Sequence, residues 1–169
     1  HCVIIDWEKN QKKRVIFENK GAIAFTPFVS REPFEIRVFP KKHLPYFENT
    51  RDEDIADVVG VLQNVLKKVE KNLSDPDYNF FIHTAPMREK EQSDHYHWHI
   101  EIRPKIATPA GFELGTGMEI NVVDPDIAVK ILKSKKLKGK LLVANWKMNC
   151  PAAEWKAAVK KIAAAKPRG

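Results

Sequence analysis

Cysteine is scarce in this chain, two in 169 residues, and they stand far apart at positions 2 and 150. No disulfide framework can be built from them, so a reducing cytoplasm is the default setting. Long apolar runs are missing as well. Nothing approaches the roughly 20 residues that a bilayer span needs, and no signal peptide is visible, so no membrane partner is expected. Positive charge, by contrast, looks plentiful at a net +7. Its distribution removes the obvious inference. Residues 1–132 carry 18 Lys and Arg against 21 Asp and Glu, a net −3, whereas residues 133–169 carry 11 against Glu154 alone, a net +10. The main body is mildly acidic, and general nucleic-acid binding is not expected of it.

A chain of 19.4 kDa with 43% hydrophobic residues suits one domain with a real core plus an appendage. The ends, His1 and a closing Lys-Pro-Arg-Gly, read as those of a piece of something longer. Residues 14–17 and 22–25 are expected as short strands around a turn at Asn19-Lys20-Gly21. Residues 34–39 alternate Phe34, Ile36 and Val38 against Glu35, Arg37 and Phe39, the pattern of a strand with one wetter face. After Pro40-Lys41-Lys42-His43, the run Thr50-Arg51-Asp52-Glu53 has the form of a capping box. A long helix is then expected from the helical spacing of Ile55, Val58, Val59, Leu62, Val65, Leu66, Val69 and Leu73. Residues 78–82 form a further strand that ends at His83-Thr84-Ala85-Pro86, and Asp124-Pro125-Asp126 opens a short helix over 127–132. The expected class is α+β, an antiparallel sheet with one long helix across it.

The chemistry concentrates in His95-Tyr96-His97-Trp98-His99-Ile100-Glu101-Ile102. Side chains of a strand point alternately to opposite faces, so His95, His97, His99, Glu101 and Arg103 are expected on one face. Tyr96, Trp98, Ile100 and Ile102 then face a core. Half of the six histidines fall within five residues at strict period two. Imidazole is the standard neutral-pH acid/base, nucleophile and metal ligand, so this face is read as a site. Arg103 is as well suited to pairing with Glu101 as to a phosphate, and His43 is read as a structural or supporting residue. Cys2 resembles the first member of a Cys-x-x-Cys pair, but Ile5 holds the second position, and zinc is not expected there. Trp7, Tyr46 and Phe47 are read as core or interface. The glycine-bearing stretch 110–118 is expected as a loop whose backbone approaches a ligand.

The order of strands, Pro-Lys-Lys-His, long helix and His-x-His-x-His resembles the histidine-triad (HIT) superfamily. Ile82-His83-Thr84-Ala85-Pro86, His97-Trp98-His99, Arg103-Pro104 and the run from Gly111 to Gly117 resemble the C-terminal half of the galactose-1-phosphate uridylyltransferases, over about residues 1–132. That resemblance implies part of an enzyme moving UMP between UDP-glucose and galactose 1-phosphate through a histidine intermediate. The nucleophile would stand in a His-Pro-His-x-Gln motif of the other half, which this chain lacks. It further implies His83, His97 and His99 as ligands of zinc or iron, with a glutamate from the missing half. Phe112, Leu114 and Thr116 would contact the hexose across a homodimer interface, although Gly117 stands where members carry a glutamate. A second reading stays open, a self-sufficient HIT nucleotide hydrolase or transferase. In it His97 attacks the α-phosphorus while His95 and His99 orient it and donate to phosphate oxygens. A third is a metal-stabilised domain that only dimerises.

Residues 133–139 read as a charged linker and 140–169 as a βα unit too small for its own core. Leu142-Val143-Ala144-Asn145-Trp146-Lys147-Met148-Asn149 resembles the first strand of the triosephosphate isomerases, in which the residues matching Asn145 and Lys147 serve the active site. An eight-stranded barrel of about 250 residues cannot follow from this one unit. The resemblance therefore implies a fusion or read-through, with a parent that is functionally the isomerase as a further reading.

Overall fold

The computed structural model describes residues 1–87 and 93–134. Residues 135–139 of the expected linker, the βα unit and its Asn145 and Lys147 lie outside the described residues, whereas Lys133, the first residue of that linker, closes a helix. Five strands, β1 Val15–Glu18, β2 Ala22–Phe25, β3 Ile36–Pro40, β4 Tyr78–His83 and β5 His99–Pro104, form one antiparallel sheet in the order β1-β2-β3-β5-β4. Among the described residues four α-helices accompany it, α1 Cys2–Gln11, α2 Asp52–Leu73, α3 Gly111–Thr116 and α4 Pro125–Lys133, with a single 3-10 turn at Phe47–Asn49. The expected α+β class and the antiparallel sheet crossed by one long helix are what the molecule adopts.

One face of the sheet carries the main core. Ile36, Val38, Trp98, Ile100 and Ile102 meet Val58, Val61, Val65, Val69 and Leu73 of α2, with Ala128, Val129 and Leu132 of α4 closing the layer. The alternation that sends Trp98, Ile100 and Ile102 to this face sends His97, His99 and Glu101 to the other. There α1 covers one end of the sheet, with Ile5 packed on Val15, Ile23, Phe25 and Phe39.

Several local expectations are corrected. The helix α1 has no counterpart in the sequence reading, since only Ile5 and Glu8 of its ten residues are buried. Thr50 does not cap α2: the N-cap is Arg51, which makes no side-chain cap bond, and its guanidinium instead grips Asp54 at 3.0 and 3.2 Å. The buried stripe of α2 runs through Val61, while Val59 is exposed. The face of residues 34–39 expected to be wet has Phe39 of β3 and the preceding Glu35 fully inside and Arg37 half-buried. The strand β5 starts only at His99, so His95 sits in a turn and is exposed, off the histidine face. At the far end the packing continues past residue 132, because Lys133 Nζ donates to the Val15 carbonyl at 3.2 Å and Ser134 Oγ to Asn72. Among the described residues no helix is long and apolar enough to cross a membrane.

Candidate metal and nucleotide site

The site grows from the register around β5. His83 lies directly opposite His99 on the β4 side, and Arg37 lies opposite Glu101 on the β3 side. Paired positions in an antiparallel sheet bring side chains on one face within about 5 Å. The His99 ring is accordingly held between two flat neighbours, stacked on Phe39 at 4.7 Å and on His83 at 4.8 Å. Its Nδ1–H donates to the His97 carbonyl at 3.2 Å, which leaves the Nε2 lone pair free. Burial, opposed by that backbone bond, pushes its pKa down to about 4, so the ring is neutral at pH 7.

Beside it, His83 Nε2 is buried without a hydrogen-bond partner and stands 3.5 Å from Glu101 Oε2. One donor atom from each of His83, His99 and Glu101 lies within 4.8 Å of the others. A neutral imidazole, an orphaned imidazole nitrogen and a carboxylate form a donor set that suits zinc or iron. Glu101 is itself fixed. Arg103 Nε donates to Oε1, as the sequence reading allowed, and Arg37 Nε lies 3.7 Å from Oε2. The guanidinium of Arg103 also reaches Glu32 at 3.4 Å and covers the Phe81 ring.

His97 belongs to a second group. Its Nε2–H donates to the Pro40 carbonyl at 2.9 Å, and its Nδ1 faces Cys2 Sγ at 3.4 Å. His43 answers from the other side, with Nε2–H on the Asp94 carbonyl at 2.7 Å and Nδ1 at 3.0 Å from the same sulfur. Two carbonyls thus fix two tautomers whose free lone pairs converge on one sulfur. A thiol carries a single proton and can satisfy only one of them, whereas a thiolate-bound cation would satisfy both. Burial foremost, offset in part by the Pro40 bond, pushes the His97 pKa down to about 4.

The three expected ligands are therefore divided, His83 and His99 on one side and His97 on the other. Glu101, Cys2 and His43 were not counted among the ligands. Glu101 was legible as the next residue at period two after His99, whereas Cys2 and His43 lie 41 positions apart and meet only because α1 folds over the sheet. The expected hexose-contact loop is instead the short helix α3, opened by Ala110 N–H donating to Glu113 at 3.1 Å and closed by Gly117 at φ +70. Phe112 and Leu114 are exposed on it, and Thr116 Oγ donates to the Phe112 carbonyl at 2.8 Å.

Comparison with known proteins agrees with this fold. The HIT domain matches residues 8–104. An ADP-glucose phosphorylase of Arabidopsis thaliana is 37% identical over 131 residues, covering 77% of this chain and 37% of the relative. A galactose-1-phosphate uridylyltransferase of Thermotoga maritima is 29% identical over 140 residues, covering 78% of this chain and 43% of the relative. The crystal structure of the Arabidopsis thaliana ADP-glucose phosphorylase with bound ADP-glucose superposes with a TM-score of 0.69 at 33% identity, covering 79% of this chain and 47% of that one. This chain thus spans less than half the length of these relatives.

Proposed function

This chain belongs to the HIT-domain family, and we propose that it serves as the C-terminal half of a hexose-1-phosphate nucleotidyltransferase. In the whole enzyme a histidine nitrogen attacks the α-phosphorus of a nucleoside diphosphohexose such as UDP-glucose. The bond from that phosphorus to the bridging oxygen breaks, and hexose 1-phosphate leaves. A phosphate oxygen of an acceptor such as galactose 1-phosphate then takes the nucleotidyl group and frees the histidine. The attacking histidine is assigned to the half not contained in this sequence. A preference for ADP-glucose over UDP-glucose is an equal fit to the relatives.

The observation that carries this reading is the condition of His97. It is 1% exposed, and both ring nitrogens are engaged inside the fold, one on the Pro40 carbonyl and one on the Cys2 sulfur. A nucleophile needs an approachable lone pair, and this ring is built as a ligand. The reading assigns it to a metal group with Cys2 and His43, and assigns His83 and His99 to the other group. Zinc or iron bound there would add fixed positive charge and lock the elements that carry these side chains. Phe112, Leu114 and Thr116 on α3 are proposed to meet the hexose in a homodimer, and the linker, shortened to 135–139 by the packing of Lys133 and Ser134, to lead to a separate unit over 140–169. No isomerase step is proposed for that unit.

Intact-protein mass after incubation with UDP-glucose or ADP-glucose, under conditions that preserve phosphoramidates, tests the assignment. This reading expects no nucleotidyl adduct on the chain alone. It also expects glucose 1-phosphate to shift the amide resonances of residues 112–116. An adduct that disappears in His97→Ala overturns it in favour of a self-sufficient HIT nucleotidyl site.

A further inference from the structure

We propose that Arg31, on the loop between β2 and β3, is a positioning residue for the hexose 1-phosphate: its pair with Glu119 latches the segment behind α3 to the sheet. This rests on the assignment of Phe112, Leu114 and Thr116 on α3 to the hexose.

The helix α3 has no packing to hold it. None of its residues is buried, and an isolated helix of this length is marginal in water. A contact surface that must be ordered at the moment of binding loses affinity, whereas one held in place beforehand keeps it. The position of α3 is therefore left to the chain that follows it. Two side-chain bonds link that chain to the loop between β2 and β3. Arg31 Nε donates to Glu119 Oε2 at 2.6 Å, and Asn121 Nδ2 donates to the Ser30 carbonyl at 3.2 Å.

The loop is itself tied to the sheet at its base. The Arg31 N–H donates to Glu35 Oε2 at 2.6 Å, and Arg37 of β3 donates from Nε to Glu35 Oε1 at 2.9 Å. Glu35 is fully buried, and a carboxylate is held inside only where such donors surround it. Phe34 beside it is buried at φ +62, a conformation that an aromatic residue keeps only where its surroundings over-determine it. Glu32 meets the guanidinium of Arg103 on β5 at 3.4 Å. Two strands thus grip the base of the loop, and its outer edge grips Glu119 and Asn121. The side chains of Arg31 and Glu119 are 57% and 37% exposed, so the latch can be cut without opening the core. Changing the Arg31 side chain also leaves its backbone bond to Glu35 in place.

Amide hydrogen exchange and glucose 1-phosphate titration of the whole chain, both read from the resonances of residues 112–118, test the proposal. Arg31→Ala and Glu119→Ala are each expected to speed exchange there about three- to fivefold, the upper range for one exposed ion pair. The dissociation constant for glucose 1-phosphate is expected to rise by the same factor, with the urea midpoint unmoved. Arg31→Lys keeps the cation and is expected to restore most of both losses. Arg31→Ala/Glu119→Ala is expected to be no worse than either single variant, because the two act through one bond. Unchanged exchange in the single variants, or additive losses in the double, would overturn the latch. Weaker binding without faster exchange would also overturn it and make Arg31 a direct contact of the phosphate. Faster exchange in the variants of a chain whose wild type does not respond to glucose 1-phosphate would leave the latch standing and overturn the assignment of α3 to the hexose.

Discussion

At the scale of single residues, two buried clusters set how this protein responds to mutation and to acid. Glu8 and Arg14 are both inside, paired at 2.8 Å, and Arg14 reaches Asp126 at 2.9 Å while lying over the rings of Trp7 and Phe28. Removing one member of such a pair strands the other charge. Arg14→Met is therefore expected to cost about 3–5 kcal/mol in urea unfolding, and the double variant Glu8→Leu/Arg14→Met to recover most of it. A double variant no more stable than the single would remove the pair from this role. Acid acts on the imidazoles. His97 and His99 have pKa values pushed from the ordinary 6.5 down to about 4, chiefly by burial. Between these values the unfolded chain binds the protons and the folded chain does not. Stability of the metal-free chain is thus full above about pH 6.5 and falls as pH drops towards 4, by up to ~3 kcal/mol per ring. Urea midpoints at pH 7 and pH 5 measure the fall, and His99→Leu is expected to halve it.

At the scale of elements, the sheet and α2 were legible because period two and period 3.6 separate cleanly when one face is apolar. The phase within a helix is harder to read. Val59 and Val61 both fit an apolar stripe, and only packing against β2 and β3 decides that Val61 points inward and Val59 outward. Val61→Ala is expected to cost about 2 kcal/mol, counting two lost methyl groups and the space they leave, whereas Val59→Ala stays within about 0.5 kcal/mol. Equal costs in chemical denaturation would place the stripe wrongly. The late start of β5 has a different cause. Trp98 N–H donates to the Leu44 carbonyl, so its backbone serves a loop while its side chain keeps the alternation, and the His97 ring is held on the other face by the Pro40 carbonyl. Period two therefore announced the right face for His97, His99 and Glu101 and the wrong one for His95. The grouping of donors was beyond it, since Cys2, His43 and His83 arrive from α1, the loop after β3 and β4, with separations that no local pattern encodes.

At the scale of the whole molecule, the sheet ends in an edge strand that no other described element pairs with. Among the described residues the strand β4 bonds to β5 alone and exposes Tyr78, Phe80 and Ile82 on the α2 face and Phe81 on the site face. Proteins protect such edges with charge, bulges or a covering element. Here one face of the edge strand is apolar, while the other carries Asn79 and Phe81 and ends at His83, one of the proposed ligands. The homodimer in the proposed function must bury something on the order of 1,200–2,000 Å² in total, and this strand offers aromatic and branched side chains suited to it. Sedimentation of the chain is expected to give twice the monomer mass at micromolar concentration. Phe80→Lys/Ile82→Lys is expected to give the monomer, with the urea midpoint nearly unmoved because both positions are exposed. A lysine pair that leaves the dimer intact would move the contact elsewhere on the surface. A monomeric wild-type chain would mean that the edge awaits the other half of the enzyme, and adding that half should then quench the exposure of Phe80 to hydroxyl-radical labelling.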